Sequence, residues 1–259
     1  MRLIDSHAHL DDEKFNEDRE ILIEQIKQSG IEKIISAGYS LEGSKQAIEL
    51  ANKYEFIYAT AGISPNDIPQ TEEELWIMLK EIKEIVQKNS KVIAIGEIGL
   101  DYYWNKENKS LQNLAFQKQI ELANELKLPI VIHTREAVMD TIDILKHNEV
   151  LKKGVFHCCP LNRELVKEAL KLGFYISFAG PITFKNSKNA NEIIEMVPID
   201  KMLIETDSPY LAPEPVRGTR NDPRNVKYMA KKVAEVKNIS VEEIAEVTCE
   251  NVKKLFCIK

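Results

Sequence analysis

The sequence predicts an α/β protein folded as a (β/α)8 TIM barrel. Eight short apolar runs, rich in β-branched and aromatic residues, alternate with longer segments of helical periodicity. Such runs are typical of strands buried on both faces, and eight of them separated by helices are the pattern of a closed parallel barrel. No G-x-G-x-x-G follows the first run, which disfavours the competing architecture, an open doubly wound sheet.

The predicted strands are short and apolar, and both properties favour a buried position in a sheet. In chain order they are Leu3–His7, Lys33–Ala37, Phe56–Ala61, Val92–Ile95, Ile130–His133, Gly154–His157, Phe174–Phe178 and Met202–Glu205.

The segments between these strands space their apolar residues so that they share one helix face. Thr71 with Glu74, and Ser240 with Glu243, have the spacing of a capping box, which predicts that a helix begins after each pair. The other predicted helices are Glu20–Ser29, Leu41–Lys53, Gln112–Leu126, Glu136–Lys146, Arg163–Leu172, Asn189–Met196 and Asn225–Val236, and the one after Ser240 covers Val241–Leu255.

Length and composition predict one domain, residues 1–259, in the cytoplasm. With 44% hydrophobic residues and no linker-like stretch, the chain can build one large core. We find no signal peptide and no apolar run long enough to cross a bilayer, and the four cysteines, without a C-x-x-C pair, favour reduced thiols. The net charge of -6 argues against broad electrostatic binding of nucleic acid, but it does not exclude a nucleic-acid substrate.

Four of the five histidines lie at or near the carboxyl ends of predicted strands, which form the active face of a parallel barrel. They are His7, His9, His133 and His157, whereas His147 lies late in a helix and is interpreted as a surface residue. His7 and His9 are two residues apart, so on a strand both side chains point the same way and could bind one cation. An isolated His-x-His is explained equally well as two polar residues at a strand end.

Two carboxylates, Glu97 and Asp207, follow the fourth and the eighth predicted strands. A carboxylate at the end of a buried strand is costly unless it is paired or binds a metal. Alone, Glu97 is equally explained by a structural ion pair, and Asp207 by a turn before Ser-Pro. Together with the histidines, however, they place six metal-type ligands at one mouth of one barrel. Nitrogen and oxygen donors without a thiolate suit Zn²⁺, Mn²⁺ or Mg²⁺.

The motifs around these residues closely resemble the TatD family of metal-dependent deoxyribonucleases, within the amidohydrolase-like barrels. The resemblance spans almost the whole chain. The matching segments are I-D-S-H-A-H-L at residues 4–10, G-E-I-G-L-D-Y-Y at 96–103, I-H-T-R at 132–135, F-H-C at 156–158, E-T-D-S-P-Y-L-A-P at 205–213 and R-G-T-R-N at 217–221.

This resemblance implies a metallo-dependent hydrolase barrel with two divalent cations, in which Glu97 and Asp207 are catalytic and Asp207 also orients the attacking water. It further implies that three side chains hold one cation, two hold the other, and one bridges them: His7, His9 and Asp207; His133 and His157; and Glu97.

The chain departs from the family pattern at two places. The family usually reads G-I-H-P-H after the third strand, where this chain has G-I-S-P-N at residues 62–66. By the resemblance, the family histidine that matches Ser64 helps to handle the scissile phosphate, so its replacement puts the rate and the substrate in question. The second departure is C-C-P-L at residues 158–161, where the family often has C-F-S-G, and it would reshape that rim.

The leading hypothesis is hydrolysis of DNA from the 3′ end of single strands, with no membrane and no obligate protein partner. The candidate substrate contacts are Ser64, Arg135, Tyr103 and Glu205. Arg135 could bind a phosphate or form a salt bridge at the mouth, and Tyr103 could stack on a base or pack under the rim. Glu205 could instead support a ligand histidine. The alternatives are hydrolysis of an amide, ester or lactone, and a non-catalytic barrel that binds a metal or a partner.

Overall fold

Eight parallel strands form one sheet in the computed structural model, which describes residues 2–259; Met1 lies outside the described residues. Each strand pairs with the next one along the chain. The strands are β1 (Leu3–Ala8), β2 (Ile31–Ser36), β3 (Ile57–Ala61), β4 (Val92–Asp101), β5 (Ile130–Arg135), β6 (Gly154–Phe156), β7 (Tyr175–Phe178) and β8 (Met202–Ile204).

The two edges of this sheet meet at an isolated parallel bridge between Ala8, the last residue of β1, and Ser208, just beyond β8. Next to it, the backbone N–H of His9 donates to the Ser208 carbonyl at 2.8 Å, and that of Asp207 donates to the His7 carbonyl at 3.0 Å. We call this junction of residues 7–9 with residues 207–208 the seam. The sheet is therefore a nearly closed barrel, so the predicted (β/α)8 fold is confirmed and the open-sheet alternative is wrong.

Helices alternate with the strands around the outside of the barrel. No helix within residues 2–259 combines the length and the apolar character needed to cross a membrane. The α-helices are α1 (Arg19–Gln28), α2 (Leu41–Lys53), α3 (Glu72–Lys88), α4 (Lys109–Leu126), α5 (Val138–His147), α6 (Arg163–Lys171), α7 (Ala190–Met196), α8 (Val226–Lys237) and α9 (Val241–Phe256).

An apolar cluster fills the amino-terminal end of the barrel. Ile4, Val131 and Leu203, each near the start of its strand, pack there with Val252 and Phe256 of α9. Since burial of apolar surface stabilises by roughly 25 cal/mol per Å², this contact holds α9 across that end. Polar side chains occupy the carboxyl-terminal ends of the strands.

Several predicted boundaries differ from the structure by a few residues, and two of the differences have a clear local reason. β4 continues to Asp101, beyond the predicted end at Ile95, because its last four residues pair with residues 132–135 of β5. The pairing shifts its register between Ile95 and Ile98, where Gly96 lies, but Gly99 pairs with His133. Helix α5 begins at Val138 rather than at Glu136, whose φ of 52° lies outside the helical region.

The two predicted capping boxes differ in the structure. At α3 both bonds of the box are present, since the Thr71 hydroxyl accepts from the Glu74 N–H and the Glu74 carboxylate accepts from the Thr71 N–H. At α9 the Ser240 hydroxyl accepts from the Glu243 N–H at 3.1 Å, but the exposed Glu243 carboxylate makes no return bond. The second box is therefore only half formed.

Candidate metal centre

Six side chains with nitrogen or oxygen donor atoms lie together at the carboxyl-terminal mouth of the barrel. They lie within or shortly after β1, β4, β5, β6 and β8. A pocket of about 350 Å³ opens beside them and is also lined by Arg135 and Tyr210. The structure thus brings together all six residues that the sequence predicts as ligands: His7, His9, Glu97, His133, His157 and Asp207.

Two imidazoles and two carboxylates form the first donor group. The Nε2 atoms of His7 and His9 lie 3.3 Å apart. Glu97 Oε2 is 3.4 Å from His7 Nε2 and 3.8 Å from His9 Nε2. Asp207 Oδ1 is 3.7 Å and 3.4 Å from the same two nitrogens. His7, His9 and Asp207 can therefore hold one ion together, and Glu97 Oε2 lies beside the two histidines of this group.

The other oxygen of Glu97 belongs to a second donor group. Its Oε1 lies 3.0 Å from His133 Nδ1 and 3.5 Å from His157 Nε2. The two imidazole nitrogens are 3.2 Å apart. Glu97 thus contributes one oxygen to each group, and it is the side chain that joins them.

The spacing of these donors fits a metal ion. Four ligands about 2.1 Å from a cation in tetrahedral geometry lie roughly 3.4 Å from one another. The donor distances of the first group scatter around that value. In addition, Asp207 Oδ1 is buried without a hydrogen-bond partner, and a buried carboxylate oxygen of this kind calls for a compensating positive charge.

The charges of the site suit the same role. Burial opposes the charge on Glu97, but His157 and His133 outweigh burial and hold the pKa of its carboxyl well below the ordinary value. Burial is likewise outweighed at Asp207, where His9 and His157 lower the pKa to about 2. Both carboxylates are therefore ionised at neutral pH, as metal ligands must be.

Asp101, at the end of β4, is a residue of the site for which the sequence reasoning proposed no role. It is fully buried, and its Oδ2 lies 3.0 Å from His133 Nε2. Burial raises the pKa of its carboxyl, but bonds from His133 and from the Trp104 N–H outweigh burial and lower the pKa to about 2. The signal was present in the sequence, because Glu97 and Asp101 are four residues apart and therefore share one side of a strand.

Asp5 is a second buried carboxylate that the sequence reasoning did not single out. Its Oδ1 accepts from the Thr206 N–H at 2.9 Å and from the His7 N–H at 3.3 Å, and its Oδ2 accepts from the Thr206 hydroxyl. The side chain therefore holds β1 against the segment that follows β8, directly below the first donor group. No periodic pattern could show this contact, since its partners lie 201 residues apart.

Two of the predicted substrate contacts, Arg135 and Tyr103, lie together on the rim of the mouth. The Arg135 guanidinium lines the pocket and stacks over the Tyr103 ring, 3.9 Å from its centroid. The Trp104 ring packs edge-on against Tyr103, and the two rings are 68% and 45% exposed, respectively. This exposed group, which we call the aromatic rim, leaves apolar ring surface open beside the mouth that holds the donor groups.

The other two candidates, Ser64 and Glu205, are buried. Ser64 is 3% exposed, and its hydroxyl donates to Asp67 at 2.7 Å in a smaller pocket on the other side of Glu97. Glu205 is 1% exposed, lies 3.4 Å from His157 Nδ1 and accepts from the Ser177 hydroxyl. Glu205 therefore faces the back of a predicted ligand rather than the pocket.

Comparison with known proteins agrees with this geometry. The family model described as TatD related DNase matches residues 4–257. The chain is 45% identical over 259 residues to the uncharacterized metal-dependent hydrolase YabD of Bacillus subtilis, and 99% of each chain is covered. It is 37% identical to the uncharacterized metal-dependent hydrolase YcfH of Escherichia coli, with 100% of this chain and 97% of the relative covered.

Among solved structures, the TatD homologue YjjV of Escherichia coli superimposes with a TM-score of 0.93 at 26% identity, covering 100% of this chain and 99% of the other. The similarity extends over the barrel and all the strand ends that carry the donor groups. The protein therefore belongs to the TatD family of metal-dependent hydrolases.

Proposed function

We propose that the protein is a deoxyribonuclease that hydrolyses single-stranded DNA from its 3′ end with the help of two divalent cations, Mg²⁺, Mn²⁺ or Zn²⁺. The observation that carries the proposal is the position of Glu97, which turns one oxygen to each donor group. A carboxylate shared in this way supports a pair of cations, and such pairs are common in enzymes that cleave phosphodiesters. The description of the matching family model supports DNA as the substrate.

Each side chain of the mouth has a definite part in this reaction. When bound, the cations would supply a water of lowered pKa and polarise a phosphoryl oxygen. Asp207 lines the pocket with an ionised carboxylate, so it can accept a hydrogen bond from the attacking water and orient it. Glu97, His7 and His133 lie within strands, and His9 and His157 directly follow strands, so the barrel fixes the donor positions.

The aromatic rim supports a single-stranded polynucleotide as the substrate. The guanidinium of Arg135 offers paired N–H donors for a phosphate, and the exposed faces of Tyr103 and Trp104 can stack on bases. Bases of a single strand are free to stack in this way, whereas those of a duplex are already stacked on one another. We therefore expect the DNA strand that leads away from the cleaved bond to lie on this rim.

A second candidate function, hydrolysis of an amide, ester or lactone, is favoured by one observation. Ser64 stands where the family has a histidine, and its hydroxyl is already bonded to Asp67. Position 64 therefore offers a scissile phosphate no imidazole, while the donor groups could polarise a carbonyl equally well. A substrate without a phosphate would lose nothing by this replacement.

The decisive experiment offers the purified protein 3′-labelled and 5′-labelled single-stranded DNA and a panel of model esters, with Mg²⁺, Mn²⁺ or Zn²⁺ and with or without chelator. We expect chelator-sensitive loss of nucleotides from the 3′ end. Glu97→Gln should lower this activity more than 100-fold, since both donor groups lose a charged ligand, whereas the exposed Glu125→Gln serves as the matched control. Ser64→His should raise the activity if this position handles the phosphate.

The other outcomes are equally clear. Ester turnover with intact DNA would support the second candidate and contradict nuclease activity. Uptake of metal without turnover of either substrate class would indicate a non-catalytic barrel.

A further inference from the structure

Asp101 contacts four hydrogen-bond donors from three parts of the chain. Its Oδ2 lies 3.0 Å from His133 Nε2 and accepts from Asn66 Nδ2 at 3.3 Å. Its Oδ1 accepts from the backbone N–H groups of Tyr103 at 2.9 Å and Trp104 at 3.0 Å. One buried carboxylate thus touches a predicted metal ligand, the loop after β3 and the backbone of the aromatic rim.

The two nitrogens of His133 face different partners. Nδ1 belongs to the second donor group, 3.0 Å from Glu97 Oε1, whereas Nε2 faces Asp101. A neutral imidazole binds a metal through one nitrogen and keeps its proton on the other. If a cation is bound through Nδ1, the proton must be on Nε2, where Asp101 is its acceptor.

From this arrangement we propose that Asp101 and Asn66 are positioning residues that hold His133 with its proton on Nε2 and its Nδ1 lone pair turned to the second cation. The inference rests on the proposed two-cation centre but not on DNA as the substrate. Asn66 assists by fixing the Oδ2 atom that His133 meets. Oδ1 of the same carboxylate accepts from the backbone of Tyr103 and Trp104. Asp101 therefore positions both the second donor group and the aromatic rim.

This role also explains the difference between the two replaced family histidines. At position 66 the asparagine amide still offers an N–H donor to Asp101. At position 64 the serine hydroxyl donates to Asp67 and not to Asp101. Of the two residues that depart from the family pattern, Asn66 thus supports the carboxylate behind His133, and Ser64 does not.

Asp101→Asn is the sharpest test, because it keeps the shape of the side chain. The new amide can still accept from the rim with its oxygen, but it turns an N–H donor to His133 Nε2. That contact favours the tautomer of His133 with the proton on Nδ1. In this tautomer Nδ1 has no free lone pair for the second cation. We expect the affinity for one of two Mn²⁺ ions, measured by titration calorimetry, to fall about 10- to 100-fold while the other is unchanged.

Two further variants and a control complete the design. Asn66→Ala, which removes the donor to Asp101, should weaken the same Mn²⁺ site by a smaller factor. Asn66→His supplies a ring N–H donor at the same position, so its Mn²⁺ affinity should be close to that of the wild type. The control is Asp140→Asn, because Asp140 accepts from the Tyr102 hydroxyl beside the same loop but contacts no donor group. ¹⁵N NMR of the Zn²⁺-loaded protein should show the His133 proton on Nε2.

Wild-type affinity for both ions in Asp101→Asn, a proton on Nδ1 in the loaded protein, or an equal loss in Asp140→Asn would each overturn the inference. Thermal unfolding of the metal-free variants separates a loss of affinity from a failure to fold. If the wild type binds no cation through His133, the two-cation centre fails together with this inference. Normal Mn²⁺ binding with no cleavage of DNA would contradict the proposed substrate alone.

Discussion

At the scale of single residues, His9 has an unusual balance of forces. Burial disfavours its charged form, but the Asp207 and Glu97 carboxylates outweigh burial and raise its pKa to about 9. In the metal-free protein the imidazole is therefore protonated at neutral pH. A cation that uses Nε2 must displace this proton, so protons and metal compete for the same atom.

This competition predicts the pH dependence of metal binding. Between pH 6.5 and 9, the affinity for Mn²⁺ of the group that contains His9 should rise by about tenfold per pH unit, since one proton leaves for each ion bound, and it should level off above pH 9. Titration calorimetry in buffers of different ionisation enthalpy measures both the affinity and the proton released. An affinity independent of pH in this range would contradict the raised pKa.

The stability of the metal-free protein should change in the opposite direction. A raised pKa in the folded state means that the contribution of His9 is complete below its unfolded pKa of about 6.5 and is lost as the pH rises through 9. Thermal unfolding in the presence of chelator should therefore show a lower midpoint at pH 9.5 than at pH 6.5. His9→Gln is the control, and the part of the slope due to this residue should be absent from it.

The sequence shows the donor residues of the site better than the residues that support them. His7, His133 and Asp207 could be predicted because a donor at the carboxyl end of a buried strand is rare and costly without a partner. The contacts of Asp5 with Thr206 and of Asp101 with Asn66 depend on which strands are neighbours and on how far each is shifted. A single sequence carries no direct signal for that pairing.

At the scale of elements, the pairing of β4 with β5 sets the position of two predicted ligands. Gly99 lies opposite His133 in the register, with a φ of 140°. A Cβ atom at position 99 would lie 2.0 Å from the His133 carbonyl oxygen. The close approach of the two strands, which brings Glu97 and His133 within reach of each other, therefore requires a glycine here.

Gly99→Ala should lower the free energy of unfolding by more than the roughly 1 to 2 kcal/mol that a disfavoured φ costs alone, because it adds a backbone clash. Gly218→Ala is a matched control, since Gly218 also has a positive φ of 89° but nothing within 4 Å of its Cβ position. Its cost should be the strain alone, about 1 to 2 kcal/mol. Urea unfolding compares the two variants, and equal costs would show that the clash relaxes freely.

Element boundaries show where local signals are sufficient. Helix α2 occupies the predicted range from Leu41 to Lys53, because its apolar spacing and its Ser40 cap agree. The end of β4 was missed because glycines within the strand resemble a break when the partner strand is unknown. The second capping box was overpredicted, since spacing shows that Glu243 can reach the cap but not that it prefers the cap to water.

At the scale of the whole molecule, the barrel separates stability from chemistry. Its amino-terminal end is closed by α9 over an apolar cluster, and its carboxyl-terminal end holds the donor groups, the pocket and the aromatic rim. Eight alternating strand and helix signals were enough to predict this architecture. The closure of the sheet was expected only by analogy with such barrels, because the bridge between Ala8 and Ser208 joins residues 200 positions apart.

That closure determines how the molecule should come apart. The seam lies between residues that also supply one donor group, so an ion held by His7, His9 and Asp207 would tie the beginning of the sheet to its end. Mn²⁺ should therefore slow amide hydrogen exchange in residues 3–9 and 202–210 more than in β2 or β3, as mass spectrometry of peptic fragments can measure. Uniform slowing across all strands would mean that opening does not start there. A protein that depends on metal for turnover would then also depend on it for keeping its two ends joined.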